Sequence, residues 1–109
     1  MENSLHQNNR PVGVIGAGSF GTAVANLLAY NTDVLLYSRN PEEVYAINHH
    51  HVKDEIKLSE RVRATEALEE IAEQCSLIFP IVPSSNFRKL IQEFSPFLHP
   101  YHILIHGTK

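Results

Sequence analysis

Cysteine is nearly absent from the 109-residue chain, with Cys75 standing alone. One thiol excludes an internal disulfide and any zinc site built from four cysteines, and it fits a reducing compartment. Long apolar runs are missing too. No stretch approaches the roughly 18 apolar residues of a membrane span, and the opening MENSLHQNNR has no apolar signal core. Neither membrane insertion nor export is expected, and the cytoplasm is the expected location. There is no basic excess. A net charge of −3 and a pI near 6.1 leave no electrostatic footprint for nucleic acid or an anionic membrane. What remains is an ordinary globular composition, in a chain long enough to bury about two-thirds of its unfolded surface around one core.

Glycine is also scarce, at five residues, yet three of the five fall within six positions. The apolar run Val12-Gly13-Val14-Ile15 feeds into Gly16-Ala17-Gly18-Ser19-Phe20-Gly21, and the small-residue segment from Thr22 to Ala29 follows at once. This reads as strand, glycine turn, helix. Gly16 allows the tight turn, Gly18 lets a pyrophosphate approach the backbone, and Gly21 lets the helix pack closely. The helix's amino end, with its unpaired N–H groups and positive dipole, then faces the phosphates. Strand and helix flanks turn a weak GxGxxG into a dinucleotide fingerprint.

Residues 1–10 read as a polar, frayed lead and residues 11–109 as one cofactor-binding domain. After the first strand a helix is expected from Ser19, as cap, to Tyr30. Val34 to Tyr37 form the second strand. Asn40-Pro41-Glu42-Glu43 reads as cap, first-turn proline and two acids favoured by the helix dipole. Residues 49–61 are polar and poorly periodic, which suggests a surface connection. Val62 to Ala64 suit a short edge strand, with Thr65 capping a helix whose apolar face is Ala67, Leu68, Ile71 and Ala72. The run from Cys75 to Val82 is the next strand, expected to end or bend near Phe79 because Pro80 donates no ladder bond. Pro83 to Asn86 is a turn into a helix carrying Phe87, Leu90, Ile91 and Phe94, and Tyr101 to Ile105 is the last strand. Unalternated apolar strands separated by helices predict an α/β, Rossmann-type, doubly wound parallel sheet in three α/β/α layers, with strand order 3-2-1-4-5. Ligands of such sheets lie beyond the carboxyl ends of the strands, near the switch between the first and fourth.

The end of the second strand distinguishes the dinucleotides. An acid there would bond a ribose 2′-hydroxyl and repel a 2′-phosphate. The chain instead carries Ser38-Arg39-Asn40, and a guanidinium fork between small polar neighbours suits a phosphate dianion. NADP(H) is therefore expected to be preferred, with NAD(H) possible; the plainer reading of Arg39 is a solvated loop arginine. Lys109, on the same rim, can polarise a carbonyl or pair with a phosphate, or be simply solvated. His49-His50-His51 is not a metal site, because three consecutive imidazoles cannot face one ion on a helix. Cys75 reads as a small buried residue. Ser84-Ser85 lacks the G-x-S-x-G elbow of a hydrolase nucleophile. Glu66, Glu69, Glu70 and Glu73 make a solvated helix face.

The stretch from Gly16 to Ala23 is similar to the GxGS(W/F)GTAxA opening of NAD(P)-dependent glycerol-3-phosphate dehydrogenase. The likeness continues in order through Tyr37-Ser38-Arg39, Ile47-Asn48, Arg63-Ala64-Thr65, Val82-Pro83-Ser84 and Gly107-Thr108-Lys109. The resemblance implies the cofactor domain of an enzyme that interconverts dihydroxyacetone phosphate and sn-glycerol 3-phosphate by hydride transfer and supplies glycerophospholipid synthesis, a homodimer when full length. It implies that Ser19 and Phe20 contact the cofactor near its pyrophosphate, that Arg39 binds the 2′-phosphate beside Asn40, and that Pro83 lines the cleft. Lys109 would touch cofactor and substrate and serve as a catalytic ammonium. Two departures stand out: the family's Tyr-Leu-Pro segment is replaced by the shorter His49 to Ile56, and the family's helical substrate domain is absent, so the chain is expected to be a shortened piece that binds cofactor without turnover. The alternatives are another oxidoreductase of the 6-phosphogluconate-dehydrogenase-like group, of the ketopantoate or pyrroline-carboxylate reductase type, and a non-catalytic module that senses dinucleotide redox state.

Overall fold

The computed structural model describes residues 10–16, 18–53 and 55–105. The polar lead before Arg10 and the segment from His106 to Lys109 lie outside the described residues. Five strands, β1 (Val12–Ile15), β2 (Val34–Tyr37), β5 (Val62–Thr65), β6 (Leu77–Pro80) and β7 (Ile103–Leu104), form one parallel sheet in the order β5-β2-β1-β6-β7. Counted within the sheet, this is the expected 3-2-1-4-5. Two further strands, β3 (Val52–Lys53) and β4 (Ile56–Lys57), make a separate antiparallel hairpin. The helices are α1 (Ser19–Leu28), α2 (Pro41–His50), α3 (Leu68–Gln74) and α4 (Ser84–Phe94), the last running into a 3₁₀ turn at Ser95–Phe97.

The three layers follow from the side-chain alternation of strands. Val14, Val34, Leu36, Val62 and Ala64 point to one face and pack with Ala25 and Ala29 behind them and with Ile47 of α2. Ile15, Leu35 and Ile78 point to the other and pack with Ile71 and Ala72 of α3 and with Leu90 and Phe94 of α4. Neighbouring residues of one strand thus serve two cores, which is why β1 and β2 are apolar without alternation. The free edge of β5 is covered by a side chain: Asn48 donates to the Ala64 carbonyl at 3.0 Å and accepts from the Ala64 N–H at 2.8 Å, as a neighbouring strand would.

Several local expectations are corrected. Arg10 is tied down, donating to Ser76 Oγ at 3.0 Å and to the Glu73 carbonyl at 3.2 Å. Gly18, not Ser19, is the N-cap of α1, and the helix ends at Leu28 rather than Tyr30. Thr65 lies two residues ahead of the α3 cap, Ala67; its hydroxyl accepts from the Ala67 N–H and donates to Glu70. Residues 49–61 are more than a surface connection, since α2 runs to His50, His51 closes it in the left-handed region (φ 55°), and the β3–β4 hairpin follows with Leu58 buried in the core. Pro80 ends β6 inside the sheet. Ile78, two residues earlier, accepts from Ile105 on the β7 side, so the donor that Pro80 lacks faces a side where the β6–β7 register has already stopped at Leu104. The last strand keeps only Ile103 and Leu104, because Tyr101 is drawn into a turn. His102 fixes that turn, accepting the His99 N–H on Nδ1 while Nε2 bonds the Ala72 carbonyl at 2.8 Å.

Candidate cofactor site

The glycine turn is built by close approach. Gly16 has φ +117°, and a Cβ on it would run into the carbonyl oxygen of Ile81; no other residue fits the step from β1 into the turn. A Cβ on Gly21 would overlap the carbonyl oxygen of Gly16. Gly21 therefore lets α1 start directly against the turn, a tighter constraint than helix-to-sheet packing. Gly18 differs from both. Its φ is an ordinary −69°, and a Cβ there would meet nothing within 4 Å. The space beside it is open on the side where the amino end of α1 carries its partial positive charge.

That turn opens into a cleft of about 510 Å³ beyond the carboxyl ends of β1 and β2. Ile15, Gly16 and Gly18 form one wall, Tyr37, Ser38, Arg39 and Asn40 a second, and Val82, Asn86, Lys89 and Leu90 a third. Glu43 from α2 and Lys53 from β3 complete it. The cleft stands at the switch point, where the chain passes from β1 to β2 on one side and to β6 on the other.

The polar groups at the end of β2 are already engaged. Asn40 caps α2, its Oδ1 accepting from the Glu42 N–H at 2.9 Å. Ser38 is buried; its hydroxyl accepts from the Asn40 N–H at 3.1 Å and donates to Glu43 Oε1 at 2.8 Å. The other oxygen of Glu43 lies 3.3 Å from Lys53 Nζ. Arg39 reaches the opposite wall and pairs with Glu93 of α4 at 3.2 Å.

Of the residues picked from sequence, the fold brings Gly16, Gly18, Arg39 and Asn40 to this one cleft. Gly21 is buried beneath the turn, and Pro83 is the exposed N-cap of α4, off the cleft wall. Ser19 opens instead onto a second groove, of about 560 Å³, between α1 and the segment Ile56 to Ser59. Phe20 is half-exposed beside it in sequence. Lys109 lies outside the described residues. Sequence reasoning missed Glu43, Lys53, Asn86 and Lys89. The alternation Val52-Lys53 and Ile56-Lys57 around a polar turn was the available signal for the hairpin that carries Lys53.

Cys75 takes no part in the site. It is fully buried, and burial pushes its thiol from 9.0 up to about 12. Among the described residues no group of three or more histidine, cysteine, aspartate or glutamate side chains can hold a metal ion, and no helix is long and apolar enough to cross a membrane.

Comparison with known proteins gives a consistent family. Residues 11–109 match the family model described as NAD-dependent glycerol-3-phosphate dehydrogenase N-terminus. Relatives named glycerol-3-phosphate dehydrogenase [NAD(P)+] include one from Exiguobacterium sp., 41% identical over 103 residues, which cover 90% of this chain and 30% of the relative. Another, from Pseudomonas fluorescens, is 43% identical over 96 residues, which cover 82% of this chain and 27% of the relative. The crystal structure of glycerol-3-phosphate dehydrogenase from Coxiella burnetii superposes with a TM-score of 0.79 at 27% identity, over 93% of this chain and 33% of that one. The chain thus spans about a third or less of the length of the proteins it matches. A parallel sheet wound around a glycine turn, with residues 11–109 matched by this family model and with relatives of the same name above 40% identity, places this chain in the NAD-dependent glycerol-3-phosphate dehydrogenase N-terminal family.

Proposed function

We propose that the chain is the cofactor-binding part of an oxidoreductase that interconverts dihydroxyacetone phosphate and sn-glycerol 3-phosphate, and that it binds NADP(H) more tightly than NAD(H). The observation that carries the reading is the open space at Gly18, in a turn whose other two glycines are enforced by backbone contact. Folding does not require glycine at that position, whereas a pyrophosphate lying against the backbone does.

In this reading the first turn of α1, with Ser19 and Phe20, holds the pyrophosphate through its dipole and backbone donors. Arg39 exchanges Glu93 for the 2′-phosphate, to which it offers a planar fork. Asn40 keeps the Arg39 loop in place by capping α2. When bound, the dinucleotide supplies the hydride; the protein supplies position and charge. The ammonium of Lys109 steadies the negative charge that develops on the substrate oxygen. By the same reading the full-length protein works in the cytoplasm, as a homodimer, in glycerophospholipid synthesis.

Parallel fluorescence titrations with NADPH and NADH test the cofactor part. Tighter NADPH binding, with the advantage lost in Arg39→Asp, supports it; failure of the folded chain to bind either dinucleotide overturns it. The 109 residues alone are expected to bind without turnover, so sustained NADPH oxidation dependent on dihydroxyacetone phosphate contradicts that expectation.

A further inference from the structure

Among the described residues Lys53 is the one charged side chain that is buried, 6% exposed, and it is buried in the wall of the cofactor cleft. Burying an ammonium is costly unless it is paired, and even a paired one adds little to stability compared with apolar packing. Its presence therefore points to a role in the cleft. We propose that Lys53 sets the cofactor preference by cancelling the charge of Glu43, an inference that rests on the cofactor assignment above.

Position is the first argument. Glu43 is held to the carboxyl end of β2 by Ser38 Oγ at 2.8 Å on one oxygen and by Lys53 Nζ at 3.3 Å on the other. An acid at this end of the second strand accepts from a ribose 2′-hydroxyl and repels a 2′-phosphate. Residues 38–40 contain no acid; the first turn of α2 brings one there from further along the chain. A carboxylate has lone pairs for more than these two partners, so Glu43 can still take a ribose hydroxyl.

Charge is the second. With Lys53 in place the charge of Glu43 is offset, so Arg39, once it leaves Glu93, meets the phosphate with no uncompensated carboxylate on the β2 side. Without Lys53, Glu43 keeps its full charge, and a phosphate dianion placed against Arg39 also faces that carboxylate.

The third argument is that the lysine is placed by a built element. The β3–β4 hairpin pairs Lys53 with Ile56. It is anchored by buried Leu58, whose N–H bonds the His51 carbonyl at 2.7 Å, and by Asn26 of α1, which donates to the Lys57 carbonyl and accepts from the Ser59 N–H.

The test is a set of NADPH and NADH dissociation constants, from reduced-nicotinamide fluorescence, for the 109-residue chain, Lys53→Met, Glu43→Gln and the double variant, with circular dichroism to confirm folding. Lys53→Met is expected to lower the NADPH-to-NADH preference about tenfold. Glu43→Gln raises it, and the double variant returns it toward the parent. A preference unmoved by either single change, or moved the same way by both, overturns the role of Lys53 while leaving the site intact. Parent protein that binds neither cofactor overturns the site itself. Should Lys53→Met fail to fold, Glu43→Gln decides, since it keeps the lysine: a preference that does not rise overturns the proposal.

Discussion

Arg39 Nη2 stands 3.2 Å from Glu93 Oε1, joining the β2 wall of the cleft to α4, with the two side chains 65% and 41% exposed. Such an open pair is worth about 0–1 kcal/mol and is readily exchanged for a phosphate. On the proposed cofactor reading, Glu93 holds the guanidinium that a 2′-phosphate would take. Replacing Glu93 with Gln removes the competitor. NADPH affinity is expected to rise by up to about fivefold at low salt, with NADH affinity unchanged, as measured by fluorescence titration; a matching gain for NADH would mean that Arg39 does not meet the 2′-phosphate.

The two glycines at positions 18 and 21 separate binding from folding. Gly18→Ala adds a methyl group where no protein atom lies within 4 Å, so its melting temperature should match that of the parent while dinucleotide affinity falls at least about tenfold. Gly21→Ala drives a methyl group into the Gly16 carbonyl and should leave little folded protein. Thermal unfolding of both, beside the titration, checks the contrast.

Asn48 serves as a short artificial strand for the edge of β5, with both of its amide atoms on Ala64. Asn48→Ala strands a partly buried N–H and C=O and should cost about 1–3 kcal/mol in urea unfolding. Asn48→Asp keeps an acceptor for the Ala64 N–H but turns a second oxygen toward the Ala64 carbonyl, and should cost no less.

Cys75 gives a pH signature. Its thiol is raised to about 12 by burial, against 9.0 for the exposed group. Below pH 9 both folded and unfolded chains carry the proton, and the thiol has no effect. As pH rises from 9 toward 12, the unfolded chain releases its proton first, so stability falls. Cys75→Ala should flatten this alkaline loss. At neutral pH a thiol reagent should label the native protein far more slowly than the urea-unfolded chain.

Features that rest on neighbouring residues were legible in the sequence. The run Val12 to Ile15 passing into Gly16-x-Gly18-x-x-Gly21, and the cap Asn40-Pro41-Glu42-Glu43, carry their own geometry, and with the apolar runs they lead to the sheet order. Features made by distant partners were not. Nothing local tells that Glu43 meets Lys53 across the β3–β4 hairpin, that Arg39 meets Glu93 fifty-four residues on, or that Asn48 completes β5. Serine suits a cap, which points to Ser19, but the extended backbone of Gly18 precedes the helix and takes the position.

The most direct test of the account is where a dinucleotide binds. Amide chemical shifts of the ¹⁵N-labelled chain, followed during titration with NADPH, should move saturably at Gly16, Gly18, Ser19 and Phe20 and from Ser38 to Asn40, and the Ser38 to Asn40 changes should shrink with NADH. Shifts confined to Ser19, Asn26 and Ile56 to Ser59, on the second groove, with Gly16, Gly18 and Ser38 to Asn40 unmoved, or no saturable shifts at all, would contradict it.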